Sequence, residues 1–205
     1  MLEYDYEKMY DSYLGIETKD AGWEDEGIPS ECNRYEATPY DVLSVVCEQL
    51  HIKQTDCLVD FGCGKGRILY FFNNYFLCRV KGIEQDAGLY QQLEDNKAYY
   101  DVRFKERGSL VELYQMRAEH YPIAREDNIF YFFNPCSSEH FEEILENIVR
   151  SIEENFRIVN LILYYAADDY LQIVRDMGWK QKRLIKLPNY AEDTDEKMYI
   201  FQNPL

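Results

Sequence analysis

The sequence is short of positive charge, of histidine and of any long apolar run. Lys and Arg number 22 against 38 Asp and Glu, a formal net charge of −16. Such a surface repels phosphate backbones, which makes nucleic acid the less favoured partner. No apolar run approaches the roughly 18 residues of a membrane span, so no membrane association is expected. The three His, at 51, 120 and 140, are far apart and lack H-x-x-x-H spacing, so no metal site is expected. The six Cys, at 32, 47, 57, 63, 78 and 136, include no C-x-x-C pair. With no secretory leader in view, they read as reduced thiols of a cytoplasmic protein. Internal repeats and low-complexity tracts are missing as well.

What remains is an ordinary globular composition. Apolar residues make up 46% of 205, enough for a real core in about one domain. The 19 Tyr mostly punctuate helix faces and read as core or rim. The acidity is uneven: residues 1–36 hold 11 Asp and Glu against 3 Lys and Arg, a net of −8. This part reads as a short helix near Glu3–Leu14, then an irregular stretch to Arg34 with Gly15, Gly22, Gly27 and Pro29. It is either a solvated arm or a cap over an active site, so residues 1–38 are set apart from a domain at 39–205.

From Pro39 onward the signals alternate. Thr38 suits an N-cap and Pro39 a first helical turn. Val42, Leu43, Val46 and Leu50 recur at helical spacing, which predicts a helix over Tyr40–His51. Apolar runs predict strands at Cys57–Phe61, Arg79–Glu84, Leu110–Gln115, Asn128–Phe133 and Ile158–Tyr165. Between them fall helices at Gly66–Phe76, about Ala87–Lys105 and Glu139–Asn155, and a further one at Ala167–Met177 before Gly178. Trp179–Leu187 and Lys197–Gln202 are joined only by an acidic turn, so one of these two strands runs antiparallel. Strands alternating with helices give an α/β fold: a mostly parallel sheet of seven strands, helices on both faces and a terminal antiparallel hairpin. In such sheets ligands bind at the carboxyl ends of the strands, at the switch point.

Residues 58–67 read L-V-D-F-G-C-G-K-G-R. A buried strand runs through three glycines into a helix, whose N-terminus offers free N–H groups. The spacing is G-x-G-x-G. The third glycine of a dinucleotide fingerprint, G-x-G-x-x-G, would fall at Arg67. Asp60 stands two residues before the first glycine. The next strand ends in Glu84, 18 residues beyond Gly66, near where an acid meets a ribose diol.

These residues resemble motifs I and II of class I S-adenosylmethionine-dependent methyltransferases, over about residues 35–205. The resemblance implies a Rossmann-like fold and S-adenosylmethionine as cofactor. Gly62, Gly64 and Gly66 would face its methionine part, Asp60 would support the turn and the cofactor amino group, and Glu84 would hold the ribose hydroxyls. The family's adenine-binding Asp after the third strand is replaced by Arg117, with Glu119 two residues on as a substitute. F-F-N-P-C-S at 132–137 resembles the N-P-P-[YFW] motif of amino methyltransferases. Asn134 and Pro135 match it and would orient an acceptor amine; Cys136 and Ser137 depart from it. Asn-Pro also simply ends a strand. N-R-Y-E-A-T-P-Y at 33–40 resembles a segment preceding the fold in bacterial methyltransferase-like proteins and, distantly, in certain lysine methyltransferases. Tyr35 and Thr38 would then close over the cofactor carboxylate.

The expected activity is methyl transfer to a small-molecule or protein acceptor. Two other readings stay open: a cofactor-binding module that acts through a protein partner without catalysis, and a nicotinamide-dependent oxidoreductase, which Arg67 opposes. A thiol at Cys136 without a local basic partner reads as a small core residue. A basic patch at Arg103, Lys105 and Arg107 is the one feature that would suit a nucleic acid. Nothing in the sequence specifies an oligomer.

Overall fold

The computed structural model describes residues 6–19 and 35–204. Its helices and strands are α1 (Tyr6–Leu14), α2 (Tyr40–Gln49), β1 (Cys57–Phe61), α3 (Arg67–Phe76), β2 (Arg79–Glu84), α4 (Ala87–Arg103), α5 (Lys105–Gly108) and β3 (Val111–Gln115). After a 3-10 turn at Ala118–His120 come β4 (Ile129–Phe132), α6 (Ser138–Glu154), β5 (Asn160–Tyr164), α7 (Asp168–Asp176), β6 (Lys180–Lys186) and β7 (Lys197–Gln202).

The strands form one sheet in the order β3-β2-β1-β4-β5-β7-β6. β1 to β5 pair in parallel, and β7 runs antiparallel between β5 and β6. The expected α/β fold with its terminal antiparallel hairpin is therefore the observed one. The chain goes outward from β1 to β3 and then returns to β4 on the other side of β1. The crevice lies where that direction reverses, between the carboxyl ends of β1 and β4.

Period-two alternation sorts the core into two layers. Leu58, Val80, Tyr131 and Ile162 face one side with Leu14 of α1, Leu43 of α2, Leu69 of α3 and Leu93 of α4. Val59, Ile83, Phe130 and Leu161 face the other with Phe141 and Ile148 of α6 and Val174 of α7. Both faces are covered, so β1 and β4 are apolar along their whole length apart from Asp60.

The first helix begins at Tyr6 among the described residues; Glu3–Asp5, Gly22, Gly27, Pro29, Cys32 and Arg34 lie outside them. Thr38 is not the cap of α2. Pro39 holds that position without a side-chain bond, and the Tyr40 N–H is capped from a distance by the Glu7 carboxylate at 3.0 Å. α2 ends at Gln49, not His51. The expected helix at Ala87–Lys105 breaks at Phe104, whose ring packs on Tyr100 and on Tyr13 of α1. Among the described residues no helix is long and apolar enough to cross a membrane, and no cluster of His, Cys, Asp and Glu could hold a metal ion.

Candidate active site

The turn after β1 is built by its glycines and tied to β2. The Gly62 and Cys63 N–H groups donate to the Ile83 carbonyl at 2.9 and 3.1 Å, and the Gly66 N–H closes the turn on the Cys63 carbonyl at 2.9 Å. Gly62 has φ +74, and a Cβ there would lie 2.6 Å from the Pro135 Cβ. A side chain is excluded twice, by conformation and by space. This contact is what brings the β4 end, with Asn134 and Pro135, against the glycine turn. Gly64 has φ +53, and a Cβ there would lie 2.2 Å from Tyr35 Cε2. The neighbour demanding that glycine is thus a ring of the same chain. Gly66 is the left-handed cap of α3 and packs under Leu93 and Tyr70.

Two carboxylates stand beside the turn. Glu84 ends β2; one oxygen accepts from the Gly64 N–H at 2.9 Å and the other from the Asp86 N–H at 2.8 Å. Burial raises its carboxyl above the usual range, against the pull of those backbone donors. Asp60 lies fully inside at the end of β1. Burial, and then the nearby Glu84 charge, push its carboxyl well above the usual range. A pair of desolvated acids at a helix N-terminus is a poor seat for a pyrophosphate and a good one for a cation carrying hydroxyl donors. The residues present therefore fit a cationic nucleoside cofactor.

Of Tyr35 and Thr38, only Tyr35 lies on the glycine turn. The Tyr35 ring covers Gly64 and its hydroxyl donates to the Thr18 carbonyl at 2.8 Å. The Thr38 hydroxyl instead pairs with the Tyr131 hydroxyl at 2.8 Å, inside the core. Glu119 is held by Arg117, whose NH2 also meets His140 Nε2 at 3.0 Å. Burial raises the Glu119 carboxyl, but its own backbone hydrogen bond and Arg117 together outweigh this, leaving it below the usual range. Its oxygen is thus already paired with the residue that replaces the expected acid.

Asn134 sits just past β4 with φ +40. Its amide reaches the segment after β5: Nδ2 donates to the Tyr165 carbonyl at 2.5 Å and Oδ1 accepts from the Ala167 N–H at 3.3 Å. The side chain ties the β4 and β5 ends together. Cys136 lies half-buried with its Sγ 3.5 Å from the Tyr170 hydroxyl, which donates to the Cys136 carbonyl at 2.7 Å.

Sequence reasoning missed Arg67 as anything but an obstacle to dinucleotides. It is 4% exposed, and its partners among the described residues lie in the N-terminal segment: Nε donates to Thr18 Oγ1 at 2.7 Å, NH1 to the Thr38 carbonyl at 3.1 Å and to Glu7. Its guanidinium also lies 4.4 Å from the centre of the Tyr40 ring. The available signal was a lone cation opening the apolar run I-L-Y-F-F.

No family profile matches the chain, and no curated protein matches it. Solved structures do. An RNA methyltransferase from Salinibacter ruber, in complex with S-adenosyl-L-homocysteine, aligns over 82% of this chain and 92% of its own, with TM-score 0.54 and 21% identity. A SAM dependent methyltransferase from Aquifex aeolicus aligns over 78% and 87%, with TM-score 0.55 and 13% identity. Geranyl diphosphate C-methyltransferase from Streptomyces coelicolor aligns over 78% and 77%, with TM-score 0.51 and 12% identity. With the sheet order, the crevice and the acid-flanked glycine turn, these likenesses establish that the chain has the class I methyltransferase fold.

Proposed function

We propose that this protein is an S-adenosylmethionine-dependent methyltransferase whose acceptor is an amine nitrogen on a protein or small molecule. The observation that carries the cofactor reading is the turn at Gly62–Gly66 with Glu84 bonded to Gly64 and buried Asp60 beside it. When bound, the cofactor supplies an electrophilic methyl group on a sulfonium. Glu84 accepts from a ribose hydroxyl on the lone pair its backbone bonds leave over. Asp60 faces the cationic end. Asn134 holds the β4 and β5 ends at one spacing, so that the Pro135 carbonyl can accept an amine N–H and turn the nitrogen lone pair toward the methyl. Positioning of this kind supplies most of the rate in a displacement that needs no obligatory acid or base.

Separate calorimetric titrations with S-adenosylmethionine and NAD test the reading. Binding of the first alone is expected; binding of NAD alone overturns it. Transfer of labelled methyl into protein, small-molecule and RNA fractions then identifies the acceptor. A second reading, a binding module without catalysis, is favoured by the pairing of the Asn134 amide with Tyr165 and Ala167. Cofactor binding with no transfer into any fraction would select it.

A further inference from the structure

Burying a guanidinium on the first turn of a helix is doubly unfavourable. The charge is desolvated, and it faces the positive end of the helix dipole. Among the described residues the compensation comes from the N-terminal segment. Glu7 supplies the counter-charge, Thr18 and Thr38 supply oxygens, and the Tyr40 ring supplies a face. Arg67 thus has its polar partners, among the described residues, in the N-terminal segments and not in the sheet. It fastens the segments 7–18 and 38–40 to the helix that starts where the glycine turn ends.

The same segment is fastened to the turn a second time. Asn96 of α4 accepts from the Glu17 N–H at 2.8 Å and donates to the Glu17 and Lys65 carbonyls at 3.1 and 3.0 Å. Lys65, inside the turn, donates to the Lys19 carbonyl at 2.9 Å. Behind Arg67, Asp11 receives the Thr18 N–H, the Thr18 hydroxyl and the Tyr40 hydroxyl. What this seating delivers is Tyr35. Its ring lies on Gly64, and its hydroxyl is bonded to the carbonyl of Thr18, the residue whose hydroxyl Arg67 holds.

We propose that Arg67 is a positioning residue for cofactor retention: through Thr18 it locks the N-terminal strap so that Tyr35 closes the glycine turn. The inference rests on the proposed function, and adds that release of the cofactor requires the strap to unseat. Association is set by the crevice and dissociation by the strap, so variants of the lock act on the dissociation rate.

Stopped-flow kinetics of S-adenosylmethionine on the full chain tests this. Arg67→Lys keeps the charge opposite Glu7 but cannot span Thr18 and Thr38 with one planar fork. Arg67→Lys and Tyr35→Ala are each expected to speed dissociation about tenfold while association changes less than about threefold. The double variant is expected to be little faster than either single one, because both open the same closure. Ile148→Ala, in the layer on the other face of the sheet, lowers stability and is expected to leave dissociation unchanged. A parent that binds, with unchanged dissociation in Arg67→Lys and Tyr35→Ala, overturns the lock alone. So do additive effects of the two, or an equal effect from Ile148→Ala. A folded parent that does not bind S-adenosylmethionine overturns the proposed function, and the role given to Arg67 with it.

Discussion

Glu84→Gln separates the scaffold from the ligand. Glu84 already accepts backbone N–H bonds, at 2.9 Å from Gly64 and 2.8 Å from Asp86, with the Gln85 N–H as a third donor. Glutamine keeps one acceptor oxygen and turns an amide NH2 toward the other donor. One charge-assisted bond is lost, worth about 1.5–3 kcal/mol. Against this, the carboxylate is desolvated and stands near Asp60, so its charge is penalised in the fold. The net loss falls at the low end, on the order of 1.5 kcal/mol, or roughly 3–6 °C in Tm for a chain of this length. The ligand loses more. A ribose hydroxyl donates a charge-assisted bond to the carboxylate, so S-adenosylmethionine is expected to bind at least about tenfold more weakly. Calorimetry with S-adenosylmethionine and its 2′-deoxy analogue, on parent and variant, gives the pairwise coupling. The analogue should lose affinity in the parent and little further in Glu84→Gln. Equal losses in both backgrounds would remove Glu84 from the ribose and leave it as a brace for the turn.

Three further outcomes are expected. Asp60 is held well above the usual carboxyl range, so a cation bound beside it drives a proton off; affinity should rise with pH above the ordinary carboxyl range, and calorimetry in buffers of different ionisation enthalpy should register net proton release, whereas proton uptake would contradict the placement. Gly64→Ala forces a side chain to φ +53 and into the Tyr35 ring; it should weaken the cofactor strongly, and Tyr35→Ala in the same chain should recover part of the loss in a binding titration. Asn134→Ala removes two bonds between the β4 and β5 ends at a position with φ +40; thermal melts should register a loss of about 1–3 kcal/mol, cofactor affinity should stay within a small factor, and transfer should fall by on the order of a hundredfold once the acceptor moves.

The elements that could be read from the sequence are those whose structure is decided locally. Cys57–Phe61, Arg79–Glu84 and Lys197–Gln202 coincide with their strands because apolar alternation or continuity ends at a turn residue. The glycine turn was legible because three glycines between a buried strand and a helix serve one geometry. The rest depends on partners far along the chain. α2 is capped by Glu7, 33 residues away, so Thr38 offered a local answer that the fold does not use. α4 breaks where Phe104 reaches Tyr13, a contact no periodicity announces. Arg67 looked like a lost glycine because Thr18 and Thr38 lie 49 and 29 residues upstream. Asn134 matched a motif by position, while its amide had already been claimed from 31 residues downstream.

The acceptor of a structural neighbour does not follow from the shared fold, and the charge distribution gives a physical reason. The neighbour from Salinibacter ruber is an RNA methyltransferase. RNA binding needs cations that track phosphates near the reacting crevice. In this chain the basic residues of the suspected patch precede β3, whose carboxyl end is the one that faces the crevice. α4 begins near that end, just after Glu84, and carries its chain away to Arg103; Lys105 and Arg107 follow in α5. Arg103 is moreover bonded to the Ser12 carbonyl at 2.8 Å and lies 5.8 Å from the centre of the Tyr13 ring, so it serves to dock α1. Beyond the β5 end stand Glu196 and Asp193, which accept from the hydroxyls of Tyr164 and Tyr165. The rings of Phe133 and Tyr164 pack there at 4.5 Å. The suspected basic patch thus lies at the other end of the sheet from the crevice, and its Arg103 is already engaged with α1.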